Sequence, residues 1–116
     1  KKMKELLGIN VPNDALGVLQ DVHWSGGMIG YFPTYTLGNL YAAQFFAEAK
    51  QTIPKLTPNF RKGQFQPLRE WLRQEIHQHG KRYRADALVK RATGKTLSSQ
   101  PFLSYLEKKM TDLYEI

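Results

Sequence analysis

A long helix that is apolar on nearly every side most constrains what this chain can fold into. Pro33 suits a helix start, with Thr34 as the predicted N-cap, and the helical pattern continues from Tyr35 to about Thr52. Its apolar residues lie around most of the circumference: Leu37, Leu40, Tyr41, Ala43, Phe45 and Phe46. Such a helix belongs in an interior. Because a chain of 116 residues can hardly cover it, we expect a missing partner domain, an exposed apolar surface and self-association of the isolated chain.

Shorter helical patterns, separated by glycine and proline, fill most of the remaining chain. They are predicted over residues 1–7, 66–79 and 86–93, and from Ser98 or Ser99 to Tyr114. Residues 17–30 show no sustained period of 2 or 3.6, so we predict mainly loop there, with at most one short helical turn or strand bridge. The fold class is therefore all-α, with residues 1–116 as one helical region and an irregular glycine-rich segment at about 17–30.

Composition excludes several classes of protein. Cysteine is absent, which removes disulfides and thiolate metal sites and fits a cytoplasmic protein. No apolar run approaches the ~20 residues that span a bilayer, so no membrane partner is expected. The net charge of +7 would attract nucleic acid, but the basic residues are spread along the chain and interleaved with Glu. This distribution is typical of solvated helical faces, and nucleic-acid binding is disfavoured.

The usual sequence signatures of a complete hydrolase are missing. There is no H-E-x-x-H motif, and His77 and His79 would point to different sides of a helix, where we expect solvated side chains near a helix C-terminus. Neither a G-x-x-x-x-G-K-[ST] loop nor a G-x-S-x-G elbow is present. Hydrolase chemistry that is complete within this chain is therefore disfavoured.

One short stretch nevertheless collects groups that are capable of chemistry among glycines. Four of them fall within five residues and two tyrosines follow: Gln20, Asp21, His23, Trp24, Tyr31 and Tyr35. The Asp21 carboxylate could bias the tautomer of the His23 imidazole, and a tyrosine phenol could donate to a developing oxyanion. Equally, the polar groups could satisfy one another while the rings fill a core. The residues alone leave both interpretations open.

The same stretch resembles a known family. Gly17-x-x-Gln20-Asp21-x-His23-Trp24, followed by Tyr31-Phe32-Pro33-Thr34-Tyr35-x-Leu37-Gly38-Asn39, is similar to the carboxypeptidase Taq family of zinc metallocarboxypeptidases. The resemblance extends over nearly the whole chain, as its C-terminal portion. It implies an all-helical, cytosolic, homodimeric enzyme that removes residues from peptide C-termini. The family's metal, zinc or cobalt, is bound by H-E-x-x-H and a further Glu, which lie upstream and are absent here.

The resemblance also implies roles for the residues of this stretch. His23 and Tyr35 would act catalytically by steadying the tetrahedral intermediate, and Gln20 and Asp21 would orient them. Trp24 and Tyr31 would line the substrate groove.

The chain would hold no metal or other cofactor of its own. It would be inactive alone, requiring the missing N-terminal part of the same enzyme. Two alternatives come from other classes: a free-standing helical protein-interaction module, and a small basic nucleic-acid-binding domain.

Overall fold

A computed structural model describes residues 1–115, and helices are the only regular elements in that range, which confirms the all-α prediction. The α-helices are α1 (Lys2–Leu7), α2 (Val22–Ser25), α3 (Pro33–Thr52), α4 (Leu56–Arg61), α5 (Gln66–Glu75), α6 (Ala85–Thr93) and α7 (Gln100–Tyr114). Short 3₁₀ turns cover Asp14–Leu16, Val18–Gln20 and His77–His79. None of the helices within residues 1–115 is both long and apolar enough to span a bilayer.

The chain divides into two compact units, Lys1–Thr34 and Tyr35–Ile116. Whether the two form one domain, as the sequence suggests, stays a prediction. In the first unit, the Asn13 side chain accepts a hydrogen bond from the Leu16 amide at 3.0 Å and so starts the first 3₁₀ turn. A Cβ at Gly17 would lie 2.5 Å from Val11 Cγ1 and 3.2 Å from the Asn13 carbonyl oxygen, so a larger residue would force the Val11 side chain to move.

One helix-start prediction in this part of the chain was wrong, and one segment contains more helix than was predicted. The segment 17–30 is more helical than expected, because α2 and a 3₁₀ turn form within it. The N-cap predicted at Thr34 is also wrong, since α3 already includes Pro33. The Thr34 hydroxyl instead donates to the Tyr31 carbonyl oxygen at 2.6 Å, a bond from the first turn of α3 back to the residues before it.

The second unit is built around a small core with a polar centre. Among the described residues its buried apolar side chains are Ala49, Leu56 and Val89. Gln44 is also buried, with 5% of its surface exposed, and it connects α3 to the segment that follows α6. Its amide nitrogen donates to Thr93 Oγ1 at 3.2 Å and to the Thr96 carbonyl at 3.0 Å, and its amide oxygen accepts from the Ser98 amide at 2.9 Å.

Apolar surface is left uncovered on both long helices. Leu37 and Phe46 of α3 are 43% and 37% exposed, which confirms the predicted apolar exposure, while self-association stays a prediction. The inward stripe predicted for α7 holds only for its first half. Phe102 and Leu106 are half-buried, whereas Leu113 is 61% exposed.

An ion pair on α5 gives the second unit a pH-dependent contribution to stability. Arg73 donates to Glu70 through Nε at 2.9 Å, and this bond lowers the pKa of Glu70 below its usual range. A carboxylate with a depressed pKa stabilises the fold at neutral pH and loses that contribution as the pH falls through its lowered pKa. We therefore expect Glu70→Gln to lower the urea midpoint of unfolding at pH 7.

In strong acid, where Glu70 is protonated in the parent chain as well, the two midpoints should converge. Glu107→Gln, which removes one carboxylate from the exposed surface of α7, is the control. A Glu70→Gln deficit of the same size at both pH values would contradict the assignment.

Candidate active site

The candidate site is built on the first turn of α2, where one carboxylate makes two contacts with one histidine. Asp21 is the N-cap of α2, and its Oδ1 accepts a hydrogen bond from the His23 amide at 2.8 Å. The same oxygen lies 3.0 Å from Nδ1 of the His23 ring. A short polar side chain at the N-cap is favoured because it satisfies a free amide at the helix start. Here the cap also sets the orientation of an imidazole.

Two aromatic rings complete the surroundings of His23. Tyr31 stacks on the imidazole with a centroid distance of 5.4 Å and an interplanar angle of 15°. Phe32 meets it edge-on, with centroids 4.7 Å apart. The chain returns to His23 because the Met28 amide donates to the His23 carbonyl at 2.8 Å and Gly27 adopts a positive φ of 78°. The His23 side chain is 29% exposed, so the ring is held by its neighbours yet open to solvent.

The remaining predicted site residues lie in different surroundings. Gln20 donates through Nε2 to the Ala15 carbonyl at 2.6 Å. Its side-chain amide therefore forms a hydrogen bond with the preceding 3₁₀ turn and not with His23. Trp24 is 59% exposed. Tyr35 lies in the first part of α3, is 55% exposed and belongs to the second unit. That its hydroxyl shares a site with His23 stays a prediction. Phe32 was not predicted as a residue of the candidate site, although its position directly after Tyr31 in the sequence could have indicated it.

The residues that the structure describes do not by themselves fit a metal ion. Within residues 1–115 no three His, Cys, Asp or Glu side chains are grouped closely enough to bind one. Asp21 and His23 offer at most two ligands, and the Asp21 oxygen nearest the ring already accepts from the His23 backbone. A structural zinc site takes four ligands, and a catalytic one takes three from the protein.

The other two histidines form no second site. His77 and His79 lie in a 3₁₀ turn after α5, and His77 is exposed as expected. His79 is half-buried rather than solvated, because it packs edge-on against Tyr83 at 5.3 Å and its Nε2 accepts from Arg91 Nε at 3.3 Å. Because Nε2 of His79 accepts from a guanidinium, this nitrogen already takes part in a structural hydrogen bond.

The Asp21–His23 pair can position a proton at a defined atom. When Nδ1 carries a proton it donates to Asp21, which leaves Nε2 as the ring nitrogen that can interact with a bound molecule. A carboxylate that accepts from Nδ1–H orients the imidazole in the same way in many acid–base and oxyanion-stabilising sites. The fold and this pair together define an all-helical protein with a carboxylate-oriented histidine and no metal-binding cluster within residues 1–115.

Comparison with known proteins identifies the family. The family model described as "Carboxypeptidase Taq (M32) metallopeptidase" matches residues 1–110. The chain is 53% identical over 114 residues to "Thermostable carboxypeptidase 1" of Thermus thermophilus, covering 98% of this chain and 22% of that protein. It is 41% identical to "Carboxypeptidase 1" of Bacillus subtilis, covering 98% of this chain and 23% of the relative.

Solved structures agree with this match. The crystal structure of an M32 carboxypeptidase from Deinococcus radiodurans R1 matches with a TM-score of 0.92 at 42% identity, covering 98% of this chain and 23% of that one. The chain therefore belongs to the carboxypeptidase Taq (M32) metallopeptidase family. It spans about 22% of the length of the Thermus relative, so it corresponds to a minor part of the proteins that it matches.

Proposed function

We propose that this chain is the C-terminal part of a metallocarboxypeptidase that hydrolyses the last peptide bond of its substrates and releases their C-terminal residues. The observation that carries the proposal is the Asp21–His23 pair, 3.0 Å apart, in a chain that matches the family over residues 1–110. A partly exposed imidazole whose orientation is set by a carboxylate is suited to a reacting group rather than to a core. Peptide substrates would bind against the wall that this segment contributes.

In this proposal His23 and Tyr35 act on the carbonyl oxygen of the scissile bond. When both ring nitrogens of His23 carry protons, Nδ1–H donates to Asp21 and Nε2–H can donate to the negative charge that develops on that oxygen. The Tyr35 hydroxyl supplies a second donor. Asp21 positions His23 and does not itself meet the substrate, while Tyr31 holds the imidazole plane by stacking. Gln20 and Trp24 belong to the wall of the groove in the same proposal.

The metal of such an enzyme, zinc or cobalt, and its ligands are assigned to the part of the protein that this chain does not span. No step of the chemistry proposed for this chain's own residues runs through that metal. The isolated chain would accordingly be inactive and would bind no metal. We place the full enzyme in the cytoplasm as a homo-oligomer.

A chimera tests the proposal directly. In it, this chain replaces the matching 114-residue segment of the Thermus thermophilus relative, to which it is 53% identical. We expect the chimera to hydrolyse an N-blocked dipeptide and the isolated chain to show neither hydrolysis nor stoichiometric zinc or cobalt. A folded, metal-loaded chimera without activity would count against the proposal, and so would metal-dependent hydrolysis by the isolated chain.

A further inference from the structure

An apolar groove runs between α3 and α7 in the second unit. It has a volume of about 570 Å³ and is lined on the α3 side by the small residues Ala42, Ala43 and Ala47. The α7 side presents the rings of Phe102 and Tyr105. Small side chains on one wall let another backbone approach closely, and aromatic rings on the other supply contact area. The groove therefore has the construction of a docking site for a chain segment.

The groove is long enough for a helix. A second depression of about 440 Å³ shares Lys50, Tyr105 and Lys108 with the first and extends it to Leu113. At 1.5 Å per residue the α7 wall from Pro101 to Leu113 is roughly 18 Å long, which corresponds to about three turns of a docked helix. Phe46 and Tyr105 are 37% and 51% exposed along it. Docking an amphipathic helix would cover these rings.

The charge of the groove points to acidic residues on the occupant. Lys50, Lys108 and Lys109 line its far part, where Asp112 is the carboxylate among the lining residues. Within the part of the chain that the structure describes, none of the three lysines forms an ion pair with a carboxylate. Two of them lie along aromatic rings. Lys50 Nζ is 4.9 Å from the Phe46 centroid, and Lys109 Nζ is 3.3 Å from the Tyr105 hydroxyl.

We propose that this groove is the docking site for an amphipathic helix of about three turns, with carboxylates toward one end, supplied by the part of an M32 carboxypeptidase that this chain does not span. This inference rests on the proposed function, because that function requires the remainder of such an enzyme. The chain covers only 22% of the Thermus relative, so ample polypeptide is available to supply the helix. A second copy of this chain is a poorer occupant, because it would bring another net charge of +7 to a lysine-lined groove.

The experiment measures binding of overlapping fifteen-residue peptides, which cover the unmatched part of the Thermus relative, to the 116-residue chain by fluorescence anisotropy. The groove variant is Lys50→Glu with Lys108→Glu. The control variant, Lys81→Glu with Lys90→Glu, makes the same change in net charge at exposed positions outside the groove. Circular dichroism of both variants checks that the helices remain.

We expect the bound peptides to be amphipathic and to carry Asp or Glu toward one end. Their affinity should fall by roughly tenfold in the groove variant and by less than about twofold in the control. Exchanging the peptide's carboxylates for lysines should restore binding to the groove variant, which a merely unfolded variant could not do. Absence of binding, equal binding to both variants, or a dimer of the chain that the groove variant dissociates would each overturn the inference.

The outcome is separable from that of the chimera. If the chimera hydrolyses its substrate while no peptide binds the groove, only the docking site falls. If peptides bind as expected while a folded, metal-loaded chimera is inactive, only the proposed function falls.

Discussion

Replacing Tyr35 by Phe in the chimeric carboxypeptidase should lower kcat by about 10²–10³-fold while the metal content stays unchanged. Removal of one donor to a developing oxyanion typically has an effect of this size, because the charge appears only in the transition state. Substrate binding in the ground state should change far less, so KM should remain close to the parent value. Tyr35 is 55% exposed near the start of α3, and circular dichroism of the variant checks that the helices are kept.

The matched control is Tyr114→Phe. Tyr114 is 66% exposed at the end of α7 and has no part in the proposed site, so this variant should keep full activity. Both enzymes would be compared on an N-blocked dipeptide, with zinc and cobalt measured on the same samples. If the Tyr35→Phe enzyme kept the parent kcat, Tyr35 would have no role in the proposed mechanism.

The second large effect concerns stability rather than catalysis. Gln44→Leu should lower the free energy of unfolding of the chain by about 1–3 kcal/mol, because it leaves the Ser98 amide and the Thr96 carbonyl without the partners they have now. Leucine has a similar volume, so the loss would come from hydrogen bonding and not from a cavity. Urea unfolding followed by circular dichroism measures it.

Gln51→Leu is the control for that experiment. Gln51 lies two turns further along α3 and is exposed, so the same chemical change should alter stability by less than about 0.5 kcal/mol. If the two variants unfold at the same urea concentration, the hydrogen bonds of Gln44 do not contribute to stability as proposed.

Local sequence chemistry predicted much of the fold, because helix ends are set by nearby residues. Gly8 and Gly94 were expected to end helices, and both adopt the left-handed conformation, with φ of 69° and 70°. The same reasoning failed where two signals compete. Pro33 and Thr34 are both helix-start residues, and the proline was taken into the first turn while the threonine hydroxyl bonded back to Tyr31.

Features that depend on distant residues could not be predicted in this way. The Gln44 network joins residues 49 to 54 positions apart, and no local pattern indicates that a glutamine in an apolar helix will be buried there. The outer half of the α7 stripe was predicted to face inward because periodicity shows which residues share a face. Periodicity cannot show whether anything covers that face, and Leu113 is exposed.

The candidate site was only partly accessible from the sequence. The two-residue spacing of Asp21 and His23 allowed a contact, and the N-cap geometry of α2 explains why the contact forms. The position of Phe32 against the imidazole depends on the turn through Gly27, which has no sequence signature beyond the glycine itself. The family resemblance supplied the roles that spacing could not.

The central claim is that this segment acts on the substrate and does not hold the metal. One measurement tests it most directly, namely kcat and bound metal determined together for the chimera carrying His23→Phe. Phenylalanine keeps a ring that can stack on Tyr31 and removes the nitrogen atoms. We predict full metal occupancy with kcat lowered by about 10²-fold. Loss of the metal together with activity, or unchanged kcat, would contradict the account.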